Sequence, residues 1–375
     1  MAHDTFWTYP SPKTYGQSAD KPASQAQGCA DLLIKKWTDP IPDGMLLSSI
    51  QIEEFGMSNP QPAELRAHLL PDLKNISGLA FAPAGDSLLV SHHSQIYRLD
   101  VSTGHLLGHW TLPDSAGMIE HVGWTPDGSR ILCVTKFCTI YGWDVDSKQP
   151  NLCVQAKVPA DPKLTAEDPS SHFCQQAVFS PDGKQIALCS LDDQIHVWDL
   201  AQQRQVVVLK GLRSLIESVA FSRQGTHVLA GTSSLSVWEL ATGKKVLKAK
   251  AHKEGVKFLH LDGDRLLWGD DACNLHAVSL RDGSSQGSWK VSPHSGAFKM
   301  QLSGNGQRLL VPDRTLYKVI DGKPCKSIYA FDLAAERVSH SLDGLPGYME
   351  KTALSWDGGL AATVNGQGLL LWDLA

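Results

Sequence analysis

Apolar and polar positions alternate along most of this chain in short runs, each bounded by a turn signal, and the same run-turn-run unit recurs. Its clearest form is residues 177–200, AVFSPDGKQIALCSLDDQIHVWDL. An apolar run leads into Ser-Pro-Asp-Gly, a second apolar run follows, and after a short polar turn a third run closes on Trp-Asp. Counted by its turn glycine, the unit occurs seven times, at Gly85, Gly128, Gly183, Gly225, Gly263, Gly306 and Gly358, at spacings of 38 to 55 residues. The closing phrases keep step: YRLD, YGWD, HVWD, SVWE, HAVS, YAFD and LLWD. Copies five and six are the most decayed, and a count of six or eight would require one copy, most readily the fifth, to be misread. Runs rich in Val, Ile, Leu and aromatics, alternating as at Ile195 and Val197, predict strands rather than helices. A period of this size accommodates four short strands and their turns. Asp-Gly at 127–128 and 182–183 supplies the positive φ of a tight hairpin. A four-stranded sheet cannot bury two apolar faces alone, whereas sheets set around a ring bury each face against a neighbour.

On these residues the chain resembles the WD-repeat β-propeller family from about Glu64 to Ala375. The resemblance implies an all-β fold: a seven-bladed β-propeller of four-stranded antiparallel blades. In that family each repeat supplies the outer strand of one blade and the three inner strands of the next. The last copy stops at the end of a third strand, so the stretch Glu64–Leu70 is expected to supply the missing outer strand and close the ring, covering an exposed edge. The domain division expected is an irregular, Pro-containing N-terminal extension over 1–60 and the propeller over 61–375. The extension carries Phe6, Trp7 and Tyr9 among prolines that exclude one long helix. It reads as a tail partly packed on the rim, with a helical turn near Asp31–Lys36, or as a partner-binding arm.

The family resemblance also decides how one constellation is read. His172, Ser190 and Asp192 have the makings of a nucleophilic triad. With Trp198 they instead occupy the positions of the family's structural hydrogen-bonded set: His before the first strand, Ser in the second, Asp in the following turn and Trp in the third. Other copies hold fragments, such as His252, Trp143 and Trp238. His92-His93 and Asp270-Asp271 lie at second-to-third-strand turns, and neighbouring side chains on a strand point apart, which disfavours a shared metal.

Equivalent positions at the start of the first strands, found by counting back from the turn, are Ser77, Glu120, Gln175, Glu217, Phe298 and Glu350. The resemblance places them around the mouth of the central channel on the top face. Three glutamates there would create a negative potential that favours a basic group. Phe137, Arg213, Lys253 and Arg314 are the nearby loop residues expected to join a contact surface. The resemblance also puts two long connections on this face: Asp146–Ser171, with an outer strand expected at Asn151–Val158, and Pro312–Ser327. Such loops either carry function or are tolerated drift.

Composition adds exclusions. A formal charge of −5 with no Lys/Arg block gives no push toward nucleic acid, and no apolar run approaches a membrane span. Eight cysteines without Cys-x-x-Cys spacing read as reduced thiols in strands. No nucleophile elbow, metal pair or phosphate loop is present in the sequence, so neither a cofactor nor catalysis is expected. With no leader pattern at residues 1–17, a cytoplasmic protein is expected. The function that the resemblance implies is a protein–protein interaction module or scaffold for one or more proteins or peptides, monomeric when free. The alternatives are a dedicated inhibitor of a single enzyme or toxin, and a hydrolase or lyase acting at the channel mouth.

Overall fold

In the computed structural model, residues 60–69, 75–156, 158, 173–212, 215–250, 255–292, 299–313, 318–320, 323–346, 351–365 and 368–374 are described. The backbone separates into units Met1–Gln51 and Ile52–Ala375, and everything below concerns the second. The tail, Asp31–Lys36, the Phe6–Tyr9 segment, His172 and His252 lie outside the described residues.

The local unit is a hairpin clamped by one hydroxyl. At the end of the first strand of blade 3, Ser180 Oγ donates to Asp182 Oδ1 at 2.6 Å and accepts the Gln185 amide at 2.8 Å. Thr125 with Asp127, Ser303 with Asn305 and Ser355 with Asp357 repeat the arrangement. All seven turn glycines have φ between +60° and +76°, a region costly for any residue with a Cβ. At Gly183 a Cβ would also lie 3.0 Å from Pro126 Cδ of the preceding blade, so this turn is roofed by its neighbour. Gly183→Ala should therefore cost about 1–3 kcal/mol from the backbone alone, read as a lowered urea midpoint at unchanged slope.

These hairpins build seven sheets, each with its first strand innermost. Blade 1 comprises Ile76–Phe81, Ser87–His92, Gln95–Asp100 and Leu106–Thr111. Blade 2 comprises Ile119–Trp124, Arg130–Thr135, Thr139–Asp144 and Leu152–Gln155. Blade 3 comprises Cys174–Phe179, Gln185–Ser190, Ile195–Asp199 and Arg204–Leu209. Blade 4 comprises Ser218–Phe221, His227–Gly231, Ser234–Glu239 and Lys245–Lys250. Blade 5 comprises Val256–Asp262, Arg265–Asp270, Asn274–Ser279 and Ser285–Lys290. Blade 6 comprises Gln301–Leu302, Arg308–Pro312, Lys323–Asp332 and Arg337–Pro346. Blade 7 comprises Lys351–Leu354, Leu360–Asn365, Gly368–Asp373 and, as its outer strand, Glu64–Leu69.

The core is divided among the blade interfaces, and strand alternation does the dividing. Leu88 and Val90 pack toward blade 7, beside Val364, Leu369 and Leu371. Leu89, between them, packs toward blade 2 with Ile131, Cys133 and Trp143. Blades 2 and 3 share Ile140, Leu152, Ile186 and Trp198, and the same sealing recurs around the ring to Leu310, Ile328, Leu370 and Trp372 between blades 6 and 7. Second strands are thus apolar on both faces, which is why they read as nearly continuous runs.

Closure follows the expected route. Glu64–Leu69 pairs antiparallel with Gly368–Asp373, Leu65 opposite Trp372 and Ala67 opposite Leu371, with a bulge at Arg66. Two further attachments were not anticipated. Gln61–Pro62 adds in parallel to the outer strand of blade 6, Gln61 opposite His340, and the Ala63 amide donates to Ser341 O at 2.8 Å. Leu69 packs so closely beneath Gly104 of blade 1 that a Cβ there would lie 2.7 Å from Leu69 Cδ2. One short segment thereby touches three blades.

The two long connections come out differently. The expected outer strand Asn151–Val158 is confined to Leu152–Gln155. Much of Pro312–Ser327, read as a loop, is strand: Lys318–Ile320 pairs with Lys323–Cys325 and lengthens the third strand of blade 6 to ten residues. The signal was present in Asp321-Gly322, a two-residue hairpin dipeptide between alternating runs. Among the described residues no helix is long and apolar enough to cross a membrane.

Candidate functional site: the channel mouth and the turn acids

First strands begin, and second strands pass into third strands, on the same face of the disc, here termed the top. A bulge opens the first strand of blades 1, 2, 3 and 5 at Ser77, Glu120, Gln175 and Lys257. Ser77 is tied down, its hydroxyl 3.0 Å from that of Ser91. In blade 4 the equivalent is Glu217, whose amide donates to Gly231 O at 2.8 Å. The structure thus brings Glu120, Gln175 and Glu217 to one ring, while Phe298, Glu350, Arg213, Lys253 and Arg314 lie outside the described residues.

Lys257 is the member that counting back from the turn missed. The blade 5 hairpin pairs Asp262 directly with Arg265 and is two residues shorter than its counterparts. Counting from Gly263 therefore overshoots onto Gly255. The Lys257 Nζ lies 2.8 Å from Glu217 Oε2 and 3.7 Å from Asp271 Oδ1. Gly255, at φ +78°, gives the carboxylate room that a side chain would fill.

Lysines stand beside the described acids of this ring: Lys257 pairs with Glu217, and Lys351 acts on Glu120. Glu120 is partly buried; burial raises its carboxyl above the ordinary range, and Lys351 and Lys136 pull it back. Phe137 is 37% exposed at the blade 2 top turn and meets Phe173 edge-on at 5.4 Å, while the Lys136 ammonium sits 4.2 Å above the Phe173 ring. This gives the mouth an apolar, cation-flanked shoulder of the kind that anchors partners.

The presumed triad parts are structural in their contacts. Asp192 Oδ1 accepts from Ser190 Oγ at 2.7 Å and from the Gln194 amide at 3.1 Å, and Asp192 Oδ2 lies 2.9 Å from His196 Nε2. The other imidazole nitrogen faces Gln205 Oε1 at 3.1 Å. Burial would raise the Asp192 carboxyl, but the bonds from His196 and Ser190 outweigh it and hold the carboxyl below its ordinary value. His196 of the third strand, which sequence reasoning did not single out, is an imidazole of this set, and the expected His172 lies outside the described residues. Trp198 is not joined to the set: its indole N–H has no hydrogen-bond partner among the described residues. In blade 5 the acid moves to the end of the second strand. There Asp270 is held by Asn274 at 2.8 and 3.0 Å and by His276 at 3.4 Å. The indole-to-hydroxyl bond occurs in blade 7, Trp372 Nε1 to Thr363 Oγ1 at 3.0 Å. His92 and His93 stack edge to face, and among the described residues no group of His, Cys, Asp and Glu is arranged to hold a metal.

Comparison with known proteins agrees with this geometry. A family model described as "WD domain, G-beta repeat" matches residues 168–199, the blade 3 copy that carries Ser190, Asp192 and Trp198. The fold is a seven-bladed β-propeller, and its blade 3 repeat is a WD repeat. Periodic tryptophan protein 2 homolog of Schizosaccharomyces pombe is 24% identical over 212 residues, covering 50% of this propeller chain and 23% of the relative. Human U3 small nucleolar RNA-interacting protein 2 is 33% identical over 109 residues, covering 29% and 22%. WD repeat-containing protein 1 of Rattus norvegicus is 26% identical over 163 residues, covering 33% and 27%. The WD-repeat chain spans about a quarter of the length of these curated relatives.

Proposed function

We propose that this propeller is a protein-interaction platform whose top face receives a protein or peptide. The observation that carries the reading is a mouth fixed on seven sealed inner strands beside an exposed aromatic, Phe137, flanked by Lys136 and Phe173. Side chains held this way lose little freedom on binding, so contact energy is not spent on ordering the receptor. A formal charge of −5 supports a protein rather than a nucleic-acid partner. Among the described residues Cys133, Cys174, Cys189 and Cys273 are buried as reduced thiols rather than bridged, which supports a reducing, cytoplasmic setting.

The test is affinity purification with wild type, Phe137→Ala and Phe137→Glu, each verified to melt like wild type. The expected result is that partners recovered by wild type are lost by the top-face variants. Retention of every partner by both variants would refute a top-face platform. A single stoichiometric enzyme would convert the reading to a dedicated inhibitor. Turnover abolished by Glu120→Gln and Glu217→Gln would convert it to an enzyme.

A further inference from the structure

One row of first-strand residues, a step below the mouth, behaves differently around the ring. In blade 3 it is Gln176, whose amide donates to Ile216 O at 3.0 Å and Glu217 O at 2.5 Å in blade 4. In blade 4 it is Ser218, whose hydroxyl donates to Val256 O of blade 5 at 2.7 Å. In blade 5 it is Phe258, packed into the interface with blade 6. Each of these side chains clasps the next blade. Blade 7 places Lys351 in this row, opposite Val364, and blade 2 places His121, opposite Val134. Lys299, two residues before the Gln301–Leu302 strand, holds the row in blade 6.

The donors of blades 6 and 7 do not clasp. Neither Lys299 nor Lys351 has an ion pair or hydrogen bond among the described residues, and both keep exposed surface. Lys299 is nonetheless ringed by protein, which is the situation of a side chain in a narrow, water-reached channel. Burial lowers its ammonium below the ordinary range and Lys351 adds to the effect. Burial, with Lys299 and Lys351 contributing, likewise holds the His121 imidazole down at about 3. Across the ring, Lys257 is satisfied by Glu217 and Asp271. Among the described residues the acid facing Lys351 is Glu120, whose carboxyl burial raises and Lys351 and Lys136 pull back.

We infer that Lys299 and Lys351 form an anion subsite that takes an acidic side chain, carboxylate or phosphate ester, of a peptide entering the channel mouth. The inference rests on the platform reading and names the chemistry of its partner. Two ammonium groups in adjacent places of one row repel each other, and their attraction for an anion is strengthened by the low-dielectric walls around them. Gln176 and Ser218 of this row already have acceptors in the next blade, so the anion is directed to the blade 6 and 7 side.

The test is calorimetric titration of the full chain with three peptides of one sequence, carrying glutamate, phosphoserine or glutamine at the central position. The glutamate or the phosphoserine peptide should bind, more weakly as salt rises, and the glutamine peptide should not. Lys299→Met with Lys351→Met should weaken binding about tenfold or more, while the paired Arg substitutions retain it. Lys351→Met alone, on an exposed side chain, serves if the double variant misfolds. Whichever acidic peptide binds identifies the anion. Equal binding of the glutamine peptide, no binding of either acidic peptide, or wild-type affinity in the Met variants would overturn the subsite. The platform reading fails separately, through the Phe137 variants.

Discussion

Deleting Glu64–Leu69 should lower the melting temperature of the whole propeller on the order of 10 °C or more, or abolish soluble expression. Deleting Met1–Ala19 should leave melting unchanged. The lost segment is the outer strand of blade 7, so its removal bares the backbone edge of Gly368–Asp373. It also uncovers Leu369 and Leu371, which are fully buried in the intact ring, and withdraws Leu69 from beneath Gly104. A loss of several kcal/mol in a domain of this size corresponds to a shift of that order, and a bared, leucine-rich edge invites pairing between molecules. Calorimetry of the two truncations checks this directly. Equal melting of both would mean that the ring does not depend on this strand.

The second large effect is expected at Asp192→Ala. The Asp192 and His196 side chains are 4% and 2% exposed, and the substitution strips acceptors from the His196 ring, the Ser190 hydroxyl and the Gln194 amide at once. Breaking a buried set of this kind typically costs about 3–5 kcal/mol. The pH dependence has a definite sign. The native carboxyl lies below its unfolded value of 3.8, so the unfolded chain binds the proton more readily. The contribution is therefore complete at neutral pH and is lost as pH falls through 3.8 toward the native value. Urea melts at neutral and acid pH should show a shallower decline for Asp192→Ala than for wild type. A catalytic origin for this cluster would instead leave the midpoint at neutral pH nearly unmoved.

Much of the ring was legible because its turns are chemically strict. Ser180-Pro181-Asp182-Gly183 states the clamp, the positive φ and the strand end in four residues, and the same logic survives in Ser303 and Asn305, where the sequence has drifted. What was not legible depended on register or on partners far away in sequence. Lys257 was missed because a hairpin two residues shorter displaces the count. His196 was missed because the family pattern looks for an imidazole before the first strand, and a third-strand histidine opposite Leu188 reads as one alternating position among others. The clasping roles of Gln176 and Ser218 carry no local signal, since their acceptors are backbone carbonyls of the next blade. The lysines at the mouth were missed for the same reason: each is unremarkable in its own strand and acquires meaning only from the neighbouring strands around the axis.

The attachment of Leu65 to Trp372 sets an order on biosynthesis. The fastening strand leaves the ribosome about three hundred residues ahead of the strand that receives it. At ordinary translation rates that interval is on the order of tens of seconds, during which the blades can stack one by one while the fastening strand waits unpaired. The nascent chain is thus an open arc with two reactive ends, and the final event is a long-range encounter, the slowest kind that topology imposes.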